Sequence, residues 1–233
     1  MKKAQRTPPQ SGHRDDTVVG SLAPMELMEM IAAERRSTAD LIGSLGPEQL
    51  ETPSLCGSWT VREVAAHLVS PFVAPRRWLL PLMLRNGFNL HQVNAALAQR
   101  VARESADQLA AQLRDNAERN LRPPIVGYWG QLTDLQVHGQ DIRRPLGLSH
   151  DLRPDRLRVS LDFLVSRRAR GFFVRSGQLD GLRFEATDLD WASGSGPVVR
   201  GRAEAVMLAI TGRPAVLPEL DGDGVGLLRD RME

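Results

Sequence analysis

Up to about residue 168, the apolar residues of this chain recur every three or four positions, in stretches closed by proline or glycine. Only after about Ser176 do they begin to alternate. A period near 3.6 builds helices with one buried face, and a period of 2 builds half-buried strands. The switch predicts a mainly α chain: a helical bundle over about 25–165, followed by a small α/β unit. The corresponding division is a disordered tail at 1–22, a bundle domain at 23–170 and a C-terminal domain at 176–233.

Within the bundle, Leu27, Ile31, Thr38, Leu41, Ile42 and Leu45 share one face of a helix, with Glu29, Arg35, Arg36 and Asp40 opposite. Gly46-Pro47 ends it. Thr60-Val61-Arg62-Glu63 has the form of a capping box and opens a helix that Pro71 and Pro75 should break. An apolar helix is expected at about 76–85, and Leu90, Val93, Leu97 and Val101 mark another. Ser105 and Gln108 form a second capping box, ahead of Leu109, Leu113 and Ala117. Further helices are expected at about 129–144 and 154–168. In the second unit, Leu182, Phe184 and Ala186 alternate with polar residues as a strand. The Ser193–Pro197 turn would let Val198-Val199-Arg200 return as another. Helices at about 202–211 and 225–231 complete it.

Charge excludes some functions. Thirty basic residues nearly cancel 28 acidic ones, leaving +2, so no nucleic-acid partner is expected. No apolar run approaches the roughly 20 residues of a membrane span, and no signal-peptide core follows Met1-Lys2-Lys3. A membrane partner is not expected. The single cysteine, Cys56, allows no internal disulfide and fits a reducing cytoplasm.

Five histidines are present. His13 falls in the tail, His91 lies off its helix stripe and His150 is in a loop. His67 and His138 lie on or beside buried helix faces. His138 follows Asp134 by four residues, so both project from one face, one turn apart. A carboxylate oxygen and an imidazole nitrogen so placed can share a cation at roughly 2.0–2.2 Å, with His67 on a neighbouring helix as third ligand. Three protein ligands leave a position free for water or substrate. Asp141, near His138, is a candidate outer partner for it, or a partner for Arg143 or Arg144.

The stretches Gly57-Ser58-Trp59-Thr60-Val61-Arg62-Glu63-Val64-Ala65-Ala66-His67-Leu68 and Asp134-Leu135-Gln136-Val137-His138-Gly139-Gln140-Asp141-Ile142-Arg143-Arg144-Pro145-Leu146-Gly147 resemble the DinB/YfiT-like superfamily. More narrowly, they resemble its mycothiol-dependent maleylpyruvate isomerase family. The resemblance spans roughly 25–165, and the piece from Ala186 to Arg213 resembles the small domain often fused behind that bundle. It implies a DinB-like four-helix bundle with a small C-terminal α/β domain. It also implies a divalent metal on His67, Asp134 and His138, zinc foremost with nickel or another ion as alternatives, and mycothiol as thiol cofactor. The isomerase pattern has Glu where this chain has Asp134, which is shorter by one methylene and weakens the case for maleylpyruvate itself.

Three functions remain open from sequence: a metal- and mycothiol-dependent isomerase or S-transferase acting on a small electrophile, a metal-dependent hydrolase, and a non-catalytic metal-binding module. A monomer or homodimer is expected, with a small-molecule thiol and substrate as partners. Trp59 is expected to staple its loop to the helix start. Tyr128, Trp129 and Trp78 are expected mainly in packing, Cys56 is expected to be inert, and Arg122, Arg143 and Arg144 are expected at solvated helix ends.

Overall fold

A computed structural model describes residues 22–149 and 152–232. All of the expected tail except Leu22 lies outside the described residues, as do His13 and His150. The helices of the N-terminal part are α1 (Pro24–Ser44), one-turn α2 (Pro47–Leu50), α3 (Val61–Val73), α4 (Leu79–Arg85), α5 (Leu90–Val101), α6 (Ala106–Asp115), α7 (Gly127–Arg143) and α8 (Pro154–Val165). Helices α1, α3, α6 and α7 make the bundle, with α1 and α3 each packed against both α6 and α7. Helix α5 packs on α3, and α8 packs on α7.

The helical period places the core where the sequence indicates. Leu27, Ile31, Thr38, Leu41, Ile42 and Leu45 are buried, as are Val93, Leu97, Val101, Leu109, Leu113 and Ala117. Both capping boxes form. Thr60 Oγ1 accepts from Glu63 N at 3.3 Å while Glu63 Oε2 accepts from Thr60 N at 2.9 Å, and Ser105 and Gln108 do the same. Thr60→Ala should cost about 1 kcal/mol. It should lower the denaturant midpoint without changing the slope; an unmoved midpoint would show that the cap contributes nothing.

Four local expectations are corrected. Helix α3 runs on past Pro71 to Val73. Proline has no N–H for the carbonyl four residues back, that of His67, and the buried Ser70 hydroxyl donates to it instead at 3.0 Å. Arg35 is buried rather than solvated. Its guanidinium donates to the carbonyls of Asn116, Ala117 and Arg119 at 2.8–3.1 Å, satisfying groups left over at and beyond the end of α6, and lies 4.7 Å from the Phe72 ring centroid. Burial without a carboxylate partner pushes its pKa down to about 10. Arg143 is also buried rather than solvated. Leu90 opens α5 but is 47% exposed, outside the core.

The second unit holds a three-stranded sheet in the order β2-β1-β3, made of β1 (Arg183–Ala186), β2 (Ala192–Gly194) and β3 (Val198–Gly201). Val198–Gly201 forms the expected strand, β3, but is not the antiparallel neighbour that a turn alone would give. It pairs parallel to β1, Phe184 opposite Val199, and the returning strand is β2. The chain crosses from one side of β1 to the other within three residues, using Gly194 (φ 82°) and Gly196 (φ 120°). A Cβ at either glycine would stand 2.2 Å from the carbonyl oxygen of Leu182 or Gly181, so only glycine passes there.

Helices α9 (Ala203–Ile210) and α10 (Val225–Asp230) complete the fold. Asp188 Oδ1, just past the end of the neighbouring strand β1, accepts from Ala203 N at 2.7 Å and caps α9. One apolar cluster joins Val137 of α7 and Leu161, Phe163 and Leu164 of α8 to Phe184, Val199 and the whole inner face of α9. The sheet unit is thereby fixed against the bundle.

Candidate metal centre

Two prolines shape the site. Pro145 provides no N–H for the carbonyl of Asp141, four residues earlier, and Leu55 N donates to that carbonyl at 3.2 Å instead. The loop before α3 is thus tied to the end of α7. Ser54 Oγ donates to the Trp59 carbonyl at 2.7 Å and closes the loop, which puts Trp59 beside both histidines. Its ring centroid lies 5.2 Å from that of His67 and 6.5 Å from that of His138, and the imidazoles are 4.9 Å apart, edge to face. Trp59 therefore lines the site as well as stapling the helix.

His67 projects from α3, and Asp134 and His138 project from α7. His67 Nε2 stands 3.5 Å from Asp134 Oδ2, and His138 Nε2 stands 3.4 Å from Asp134 Oδ1. These contacts are longer than ordinary N–H···O hydrogen bonds of about 2.7–3.2 Å. Two donor atoms that share a cation at roughly 2.1 Å stand about 3.4 Å apart in tetrahedral geometry, and each of these spacings is of that size. One ligand atom from each of the three residues lies within 4.8 Å of the other two. The donor set of two imidazoles and a carboxylate suits zinc and its neighbours. Asp134, though shorter than Glu, offers a separate oxygen to each imidazole. His67 Nδ1 is buried with no hydrogen-bond partner among the described residues, so Nε2 is the nitrogen with a polar neighbour.

His138 is held more firmly. Its Nδ1 lies 2.8 Å from Asp141 Oδ2. Asp141 has no exposed surface, and it also takes both arms of Arg213, whose Nε donates to Oδ1 at 3.0 Å and Nη2 to Oδ2 at 2.7 Å. Arg213 Nη1 donates to the Thr211 carbonyl at 2.6 Å. A residue of the second unit thus orients a carboxylate that orients a histidine of the bundle. Asp141 is the outer partner of His138, and its arginine is neither Arg143 nor Arg144. Arg144 pairs with Glu204 and Glu219 at 2.7 and 2.5 Å rather than ending in solvent.

Residues 31–123 match the family model described as the mycothiol maleylpyruvate isomerase N-terminal domain. That model is of the DinB-like type, so the matched stretch, two-fifths of the chain, is similar to a DinB-like bundle. The match takes in His67 and stops short of Asp134 and His138, so those two stand on geometry. No curated protein and no solved structure matches the chain. No helix among the described residues is long and apolar enough to cross a membrane.

The electrostatics of the site follow from its packing. Burial favours a neutral Asp134, but the charge and hydrogen bonding of His138, then His67, outweigh it and hold the carboxyl far below the usual carboxylate range. Burial likewise opposes a charged His138, yet Asp134 and then Asp141 push its pKa well above the ordinary histidine value. Burial also disfavours the Asp141 carboxylate, and His138 and Arg213 overcome it and lower that pKa.

The remaining expected groups are elsewhere. Trp78 lies under Arg100, Trp129 under Arg168 and Tyr128 under Arg122. Cys56, expected to be inert, has its sulfur within 4.8 Å of a His138 ring nitrogen and an Asp141 oxygen. Its place in the loop just before Trp59 was the one available signal for it. Arg213, 72 residues from Asp141, had none.

Proposed function

We propose that His67, Asp134 and His138 hold one divalent metal, zinc foremost, and that the protein uses it with mycothiol to isomerise, or transfer the thiol to, a small electrophilic molecule. The observation that carries this reading is the convergence of one donor atom from each of the three side chains within 4.8 Å of the others, in a chain whose residues 31–123 match the mycothiol maleylpyruvate isomerase N-terminal domain. The ion would lower the pKa of a bound thiol, so that thiolate is available near neutral pH. The protein's part is to orient His138 through Asp141 and Arg213, to cover the imidazoles with Trp59, and to leave the side chain of Asp134, one-third exposed, at the mouth of the site. The test is turnover of an α,β-unsaturated or halogenated electrophile by the zinc-loaded protein with and without mycothiol. Thiol-dependent conversion is expected; hydrolysis without thiol would replace this reading with a metal hydrolase.

The Cys56–His138–Asp141 grouping raises a second reading, in which Cys56 is the nucleophile. Asp141 on Nδ1 is what such a base would need, but Nε2, the nitrogen left to take the thiol proton, faces Asp134 at 3.4 Å, and this opposes the second reading. Cys56→Ala is therefore expected to keep metal content and most thiol-dependent activity, whereas complete loss of turnover with metal retained would favour the cysteine.

The pKa shifts set opposite pH trends for the two states. Without metal, the raised His138 pKa makes its contribution to stability complete below about 6.5 and lost as pH rises through the folded-state value. The depressed Asp134 pKa makes its contribution complete above about 3.9 and lost as pH falls. Metal needs the His138 proton removed, so affinity should rise about tenfold per pH unit while that proton is still bound. Denaturant midpoints between about pH 6.5 and 8 should fall with pH in chelator and rise with pH in excess zinc. Parallel trends would contradict the assignment.

A further inference from the structure

Ten large apolar side chains are exposed among the described residues, and five of them, Leu79, Leu80, Leu84, Phe88 and Leu90, fall within twelve positions of one another. Scattered exposed leucines need no explanation, but a cluster marks a binding surface. Leu80 and Leu84, 65% and 63% exposed, are one turn apart on α4. Leu82 is buried and packs with Val93 and Leu97, so α4 has an anchored face and a free one. Phe88, 61% exposed, is the one non-glycine residue of positive φ (61°) among the described residues. An aromatic ring turned to solvent on a strained backbone gains nothing in the isolated chain.

Charge identifies what covers this face. From Val64 to Arg103 the chain has five arginines and no aspartate or glutamate. Arg76, Arg77 and Arg85 flank the leucines, are exposed, and form no ion pair among the described residues. Arg62 and Arg114, by contrast, pair with Glu51 and Asp40. A second copy docked about a two-fold axis would set this cationic face against itself. An anionic surface with an apolar interior complements it. We propose that α4 and the turn into α5 dock the protein on an anionic lipid surface, with Leu80, Leu84 and Phe88 at the acyl boundary and the three arginines on the headgroups. A helix of this length does not cross a bilayer; lying in the interface requires only an apolar face with cationic flanks. The inference is independent of the metal reading.

The test is co-sedimentation of the full chain with phosphatidylcholine vesicles, with and without phosphatidylglycerol. Each arginine near an anionic surface is worth about a fivefold factor, so three give a preference of roughly a hundredfold for the anionic vesicles, shrinking with salt. Leu80→Asp with Leu84→Asp, and separately Arg76→Glu with Arg77→Glu, should bring binding down to the phosphatidylcholine level with unchanged helical circular dichroism. Equal binding to both vesicles, no binding, or binding that survives both double variants would overturn the proposal. So would a wild-type dimer in sedimentation velocity that Leu80→Asp with Leu84→Asp dissociates, or capture of an acidic protein with no vesicle binding.

Discussion

His138→Ala is expected to reduce bound metal from about one ion per chain to a trace, because it removes the proposed ligand whose orientation the site fixes most firmly. His138 is fixed by Asp141 at 2.8 Å, whereas the corresponding nitrogen of His67 has no partner among the described residues. His67→Ala should therefore also abolish stoichiometric binding but cost the apo fold less. Asp134→Asn should weaken binding, since a neutral amide is a poorer ligand and the two imidazoles then face each other without a counter-charge. Asp134→Glu should retain metal, because the longer side chain can still reach between two nitrogens 3.4 and 3.5 Å from the present oxygens. Elemental analysis of tag-free protein checks the series. Stoichiometric metal in both histidine variants would place the ion elsewhere.

The second large effect is expected at Asp141 and Arg213. Asp141→Ala leaves a largely buried guanidinium without its carboxylate and should cost about 3–5 kcal/mol. It should also lower metal affinity about 10–100-fold by releasing His138. Asp141→Asn keeps the shape but can present an amide N–H to Nδ1. That puts the imidazole proton on Nε2, the nitrogen facing Asp134, so affinity should fall further than stability. Arg213→Met should weaken metal binding from a different unit of the fold. The double variant Asp141→Leu with Arg213→Met separates the two roles. Removing both buried charges should recover stability relative to Asp141→Ala, while the metal affinity stays low. Recovery of both together would mean that the pair acts only through stability.

The parts of this account that could be read from sequence are those set by local spacing. Asp134 and His138 share a face because they are four residues apart on a helix, and His67 follows a capping box that fixes where its helix begins. The parts that could not be read depend on long-range pairing. Arg35 falls on the polar side of its helix by periodicity, yet the unsatisfied carboxy-terminal carbonyls at and beyond the end of α6 draw it inward. Strand β2 is Ala-Ser-Gly, with no strand-forming side chain, and is specified by its pairing with β1 and by glycines that let the chain cross. Pro71 reads as a helix breaker until Ser70 is seen to satisfy the carbonyl that it leaves bare. Asp141 was recognisable as an outer partner of His138, but Arg213, from a separate unit, was not.

The most direct test of the metal assignment is X-ray absorption at the zinc edge on tag-free, zinc-loaded protein, before and after adding mycothiol. The account predicts two imidazole nitrogens with oxygen at roughly 2.0–2.2 Å and no sulfur before addition, then one sulfur near 2.3 Å after it. Sulfur at the ion before any thiol is added, or a spectrum unchanged by His67→Ala and His138→Ala, would contradict it.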